Sequence, residues 1–131
     1  MTYLAVALGG ALGAVLRWTL GETVPHGDGF PWTTFGINLT GCLVLAWLPA
    51  VDAVRRRPLL AVGLGPGLLG GYTTLSAYAE ETRDLLADGR TLPALAYLLG
   101  TLAACLVAVT LVARRHSAAA DDEFAAEGGD E

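Results

Sequence analysis

The charges of this chain keep almost entirely to a few short stretches, and between them lie four apolar runs too long to hide inside so small a protein. The runs extend from about residues 3 to 20, 34 to 51, 59 to 78 and 92 to 113. A helix needs roughly 20 residues to cross a hydrocarbon core about 30 Å thick, so each run is long enough to span a membrane. Charged residues gather instead at 52–57, 80–90 and 114–131. Composition agrees: 53% of the 131 residues are hydrophobic, 16% are charged, and mean hydropathy is +0.51. A soluble domain carries about a quarter charged residues. The expected fold is an all-α membrane protein with four transmembrane helices. A signal peptide is the competing reading of the first run, but that run has no basic leading region and no small-residue cleavage site.

The connections read as short. Residues 21–33 hold two prolines and three glycines, with Phe30 and Trp32 placed as an interfacial anchor before the second span. Residues 52–58 (DAVRRRP) form a basic turn ending at Pro58, and residues 79–91 form a charged loop before Pro93, which suits the first turn of the fourth helix. Residues 117–131 are acidic, rich in Ala and Gly, and without a periodic apolar face, so a disordered tail is expected after a four-helix transmembrane domain covering residues 1–116. Cys42 and Cys105 fall inside spans without metal-ligand spacing and read as small packing residues. His26 and His116 read as solvated surface residues.

Orientation follows from arginine. All eight basic side chains are arginine. Arg55, Arg56 and Arg57 sit in the second connection and Arg114 and Arg115 flank the fourth span, against Arg83 and Arg90 in the third connection. The positive-inside rule places both termini in the cytoplasm.

The spans are rich in small residues: Gly9 and Gly13 in the first, and Gly63, Gly67 and Gly71 in the third. Such faces let helices approach closely in lipid and argue for a compact, oligomeric bundle. Polar residues at depth say more. Asn38 in the second span and Thr101 in the fourth must face protein or water, since an unsatisfied polar group in hydrocarbon costs several kcal/mol. Arg17 lies about one turn from the end of its span and can either do the same or snorkel to the interface.

The stretch GGYTTLSAY, residues 70–78, closes the third span. Consecutive glycines followed by two β-branched threonines weaken a helix, glycine alone costing about 1 kcal/mol relative to alanine. A break at the double glycine would expose carbonyls fit for a small cation and amides fit for an anion, which membranes tolerate only in protein interiors or polar cavities. The alternative is an intact helix whose threonines bond back to carbonyls.

In order and spacing, GGALGAVLRW (9–18), WTTFGINLTG (32–41), GGYTTLSAY (70–78) and YLLGT (97–101) resemble the small four-helix CrcB/Fluc fluoride channels, over roughly residues 3–113. The resemblance implies a plasma-membrane protein that passes fluoride passively out of the cell, built as an antiparallel dimer with a third helix broken near its Gly-Gly. It implies a structural sodium ion (Na+) at the dimer interface, held by backbone carbonyls of Gly70 and Thr73. It assigns Asn38, Thr74, Leu75, Ser76, Tyr78, Tyr97 and Thr101 to the pore and Arg17 to an anion-attracting or gating role. The chemistry is coherent, because a selective pore must replace fluoride's hydration with many weak donors, and hydroxyls, an amide and aromatic edges supply them.

One departure matters. The family usually has phenylalanine where this chain has Leu75 and Tyr78; a leucine methyl is far less polarised than a ring edge, so a pore depending on Leu75 is expected to be weak. Homodimers of inverted subunits also need nearly balanced loop charges, whereas the arginines here favour one orientation. A heterodimer with a second CrcB-type subunit of opposite orientation is therefore expected over a homodimer, with lipid as the surrounding partner and no nucleic acid. A small-multidrug-type transporter would need a glutamate in the first span, and there is none. A non-transporting membrane protein would leave Asn38 and the glycines without a task. No span carries an acid/base pair, so no enzyme activity is expected.

Overall fold

The computed structural model describes residues 1–24 and 29–126, with side chains described as far as residue 115. His26, the side chain of His116 and the last five residues of the expected tail lie outside the described residues. Among the described residues every regular element is helical. In chain order these are α1 (Thr2–Thr23), α2 (Trp32–Trp47), α3 (Asp52–Arg55), α4 (Pro58–Val62), α5 (Gly70–Tyr72), α6 (Leu75–Ala87) and α7 (Thr91–Ala126). A 3-10 turn, Leu48–Ala50, extends α2, and a π-helical segment, Gly63–Leu69, joins α4 to α5.

Four stretches are long and apolar enough to cross a membrane: Thr2–Thr23, Trp32–Ala50, Pro58–Ala87 and Thr91–Arg115. Most of their large apolar side chains face outward, including Leu8, Leu12, Trp18, Leu99 and Leu106. In water that exposure would be prohibitive, whereas in lipid it is the resting state of a leucine. The protein is a multi-pass membrane protein.

The third span differs most from a plain helix. Pro66 sits in its middle, between Gly65 and Gly67. Proline has no N–H to give and clashes with the carbonyl four residues back, and the wider π winding of Gly63–Leu69 absorbs both problems. Beyond it, Gly70 keeps right-handed helical dihedrals (φ −64°, ψ −34°) and α5 includes both Gly70 and Gly71. The extended residues are Thr73 (φ −75°, ψ 158°) and Thr74 (φ −146°, ψ 120°). Thr74 then caps α6, its Oγ1 accepting from the Ala77 N–H at 3.1 Å.

The expected charged loop at 79–91 is mostly helix, because α6 runs on to Ala87 through good helix formers. Only Asp88, Gly89 and Arg90 turn. The N–H of Arg90 bonds the Leu85 carbonyl and that of Gly89 bonds the Leu86 carbonyl, a Schellman closure in which Gly89 takes φ 73°.

Packing divides the bundle in two. α1 lies along α4, the π segment and α5, while α7 packs on α2 and α6. The first seam is made by glycine. A methyl added to Gly9 would run into the Gly63 carbonyl, one on Gly13 into the Leu68 carbonyl, and one on Gly71 into the Gly10 carbonyl. The second seam holds the buried cluster of Leu85, Ala94 and Tyr97, with Phe30, Phe35 and Tyr78 against it. Phe30 thus turns inward, stacking edge-on to Tyr97 at 5.2 Å, while Trp32 alone, 67% exposed, keeps the exposure that an interfacial anchor needs.

Candidate functional site

A helix that stops leaves backbone groups to be satisfied by other means, and at Thr73 and Thr74 their partners can be traced one by one. Leu69 O accepts from both the N–H and the hydroxyl of Thr73, each at 2.9 Å. Gly71 O accepts from Arg17 Nε at 3.2 Å. Arg17 therefore reaches across from α1 to the carboxyl end of α5, where a guanidinium also suits the negative pole of the helix. The N–H of Thr74, which in a continued helix would bond the Gly70 carbonyl, goes instead to Asn38 Oδ1 at 2.8 Å. Asn38 Nδ2 donates to the Thr74 carbonyl at 3.1 Å. One carboxamide on α2 thus replaces a neighbouring strand for Thr74, and one of its two amide hydrogens is left over.

Asn38, Leu69, Thr73 and Thr74, but not Arg17 or Gly71, line a cavity of about 530 Å³ between α2, the third span and α7. Of the residues singled out in the sequence, Asn38, Gly70, Thr73, Thr74, Leu75, Tyr78 and Thr101 line it. The Thr101 hydroxyl is buried there without a hydrogen-bond partner, alone in this among the described side chains. Such a group costs about 1–3 kcal/mol and calls for a reason. Leu75 is 77% exposed at the cavity's edge. Ser76 does not reach the cavity wall; its hydroxyl lies 3.2 Å from that of Thr74.

Tyr97 sits apart from the cavity lining, completely buried in the aromatic cluster. Its hydroxyl donates to Glu81 Oε2 at 2.6 Å, and Thr34 donates to Glu81 Oε1 at 2.7 Å. Tyr78 joins the two regions: it lines the cavity, meets Tyr97 edge-on at 5.2 Å and gives its hydroxyl proton to the Leu98 carbonyl. Glu81 and Thr34 escape notice along the sequence, since Glu81 falls in a charged stretch and Thr34 at a span's end. Helical spacing holds the signal: Thr34 is one turn before Asn38, Tyr97 one turn before Thr101, and Glu81 three residues after Tyr78.

The site offers hydroxyls, an amide, ring edges and main-chain carbonyls set among apolar side chains. Such an inventory can solvate a small polar solute.

Comparison with known proteins bears on the same residues. Residues 4–113 match the family described as CrcB-like protein, Camphor Resistance (CrcB). The chain is 47% identical over 112 residues to "Fluoride-specific ion channel FluC 1" of Streptomyces coelicolor, covering 82% of this chain and 72% of that protein. It is 45% identical over 111 residues to "Fluoride-specific ion channel FluC 2" of Nocardia farcinica, covering 82% and 79%. Against "Fluoride-specific ion channel FluC" of Paracoccus denitrificans the identity is 43% over 112 residues, covering 82% and 88%. With the matched region reaching from the first span to the end of the fourth, and the cavity built from residues of that region, this chain belongs to the CrcB family.

Proposed function

We propose that this chain is a subunit of a passive fluoride channel of the plasma membrane, which lets fluoride leave the cytoplasm down its gradient. The observation that carries the reading is the extended Thr73–Thr74 backbone tied to Asn38, in a cavity it shares with the unpartnered hydroxyl of Thr101. A broken third span in lipid is tolerable only against a cavity or protein, and relatives named fluoride-specific channels supply the solute. Fluoride is a strong acceptor, so the spare Asn38 hydrogen, the Thr74 and Thr101 hydroxyls and the Tyr78 ring edge are the donors that would take the place of water. Ser76 and Tyr97 act behind them, Ser76 through the Thr74 hydroxyl and Tyr97 through Tyr78. Arg17, fixed on the Gly71 carbonyl, raises the local potential for an anion without closing on it.

The carbonyls of Gly70 and Thr73 fit a hard monovalent cation such as sodium. Gly70 lines the cavity, and the donor its carbonyl would have had is bonded to Asn38. Bound there, sodium would supply fixed positive charge near the anion's path. The cavity is formed by one side of a single bundle, and an inverted second subunit would complete it. Arginine at 55–57 and 114–115 favours cytoplasmic termini and one orientation, which supports a heterodimer with an oppositely inserted CrcB-type chain. Leu75 in place of an aromatic ring fits a subunit that needs such a partner.

The deciding experiment is fluoride efflux from liposomes. Purified alone, the chain is expected to give little flux; purified with a second CrcB-type chain of opposite arginine bias, it should empty the vesicles of fluoride and retain chloride. Strong flux from the chain alone would remove the heterodimer, and chloride passing as fast as fluoride would remove the selectivity.

A further inference from the structure

The basic corner between the second and third spans is built more firmly than a loop of surface charge. α3 and α4 meet there at Arg56 and Arg57. Val54 is buried beneath the corner, and its carbonyl accepts from the Arg57 N–H at 3.1 Å. The Arg57 carbonyl in turn accepts from the N–H groups of Leu60 at 2.9 Å and Ala61 at 3.0 Å. Pro58 keeps Arg57 extended (φ −128°, ψ 93°). Beside this fixed backbone lies an open groove of about 590 Å³, lined by Arg56, Arg57, Pro58, Leu59 and Leu60. Asp52 takes up the charge of Arg55, whereas among the described residues Arg56 and Arg57 have no ion pair.

The groove is half cationic and half apolar, and its place in the chain gives that mixture a meaning. The third span begins at Pro58, so the two arginines immediately precede it and the two leucines are already part of it. Such a wall suits a ligand that carries both an anion and hydrocarbon. Arginine recognises phosphate through paired N–H donors. Inorganic phosphate would leave Pro58, Leu59 and Leu60 uncovered, and an acidic protein segment would have to reach leucines that face lipid. We propose that this groove binds one anionic glycerophospholipid, with Arg56 and Arg57 on the headgroup phosphate and Leu59 and Leu60 against the first carbons of the acyl chains. The arginine bias that assigns this end to the cytoplasm puts the groove in the leaflet where anionic lipid attracts basic segments. The site does not depend on the channel reading, because its occupation is measured without ion flux.

The test uses the full-length chain in mild detergent, offered phosphatidylglycerol or phosphatidylcholine with identical acyl chains, with bound lipid counted by native mass spectrometry. One phosphatidylglycerol should be retained at a concentration about 30-fold below that needed for phosphatidylcholine, each arginine near the phosphate being worth about fivefold. Replacing the pair together, Arg56→Gln with Arg57→Gln, should abolish the preference. Arg114→Gln with Arg115→Gln, at the same end of the bundle, should leave it within about twofold. Equal loss from the two pairs would mean diffuse attraction and would overturn the site, as would equal retention of the two lipids. Displacement by deacylated glycerophosphoglycerol would make it a phosphate site, and displacement by polyglutamate a protein site; either result refutes a lipid. A second measurement needs no variant: phosphatidylglycerol with a diazirine near its ester should label Pro58–Val62 in the wild type. Labelling spread evenly over the spans would overturn the proposal even if the glutamine variants failed to fold.

Discussion

Asn38 owes its position to what it does for Thr74, since its carboxamide closes both main-chain groups of one extended residue. Asn38→Leu should leave an N–H and a carbonyl unbonded at depth, at a cost of about 1–3 kcal/mol each, seen as a lowered unfolding midpoint in detergent. Asn38→Asp keeps the acceptor for the Thr74 N–H but sets a carboxylate oxygen against the Thr74 carbonyl, so it should also be destabilised. Glu81 allows a sharper test because it serves Thr34 and Tyr97 at once. Tyr97→Phe should cost about 1.5–3 kcal/mol by stranding one carboxylate oxygen, and much less in a Glu81→Ala background; a double-mutant cycle on thermal stability reads the difference. Thr34, Glu81 and Tyr97 were all within reach of a sequence argument by helical spacing, but their meeting was not, because α2, α6 and α7 come together only when the bundle forms.

At the scale of the element, the instructive pair is Gly70 and Gly71. As a dipeptide they look like the place where the third span comes apart. Both are helical, and the extended backbone comes afterwards, at Thr73 and Thr74. The glycines differ in what surrounds them: a methyl on Gly71 meets the Gly10 backbone of α1, whereas one on Gly70 meets nothing within 4 Å. Gly71→Ala should therefore destabilise by about 1–3 kcal/mol through forced separation of α1 and α5. Gly70→Ala should be neutral or stabilising by up to about 1 kcal/mol, helical dihedrals suiting alanine. Unfolding of the two variants side by side checks this, and equal losses would refute the seam. Gly89 is another matter, since its φ of 73° is costly for any other residue; Gly89→Ala should lose about 1–2 kcal/mol and loosen the turn between α6 and α7.

For the whole molecule, the distribution of arginine is the argument. Five of the eight flank the ends assigned to the cytoplasm, and two lie in the opposite connection with acids around them. Of these, Arg55 pairs with Asp52 and Arg83 with Asp84, both pairs exposed and worth little. A fluorescent protein fused at the carboxyl terminus should therefore glow, and alkaline phosphatase fused there should stay silent. Exchanging Arg55, Arg56 and Arg57 for neutral residues should produce both topologies, measured by the same pair of fusions.

The four spans and the family were decided by the sequence, for a physical reason. Crossing hydrocarbon is a matter of length and apolarity, both of which are local, and the polar residues at depth are too costly to stand without purpose. Tertiary structure decided where the third span opens, because the closeness of α1 keeps Gly71 helical and Asn38 rewards an extended Thr74 instead. It also brought Glu81 to Tyr97 and Thr34. Those are meetings between segments far apart in the chain, and no local propensity encodes them until the helices pack.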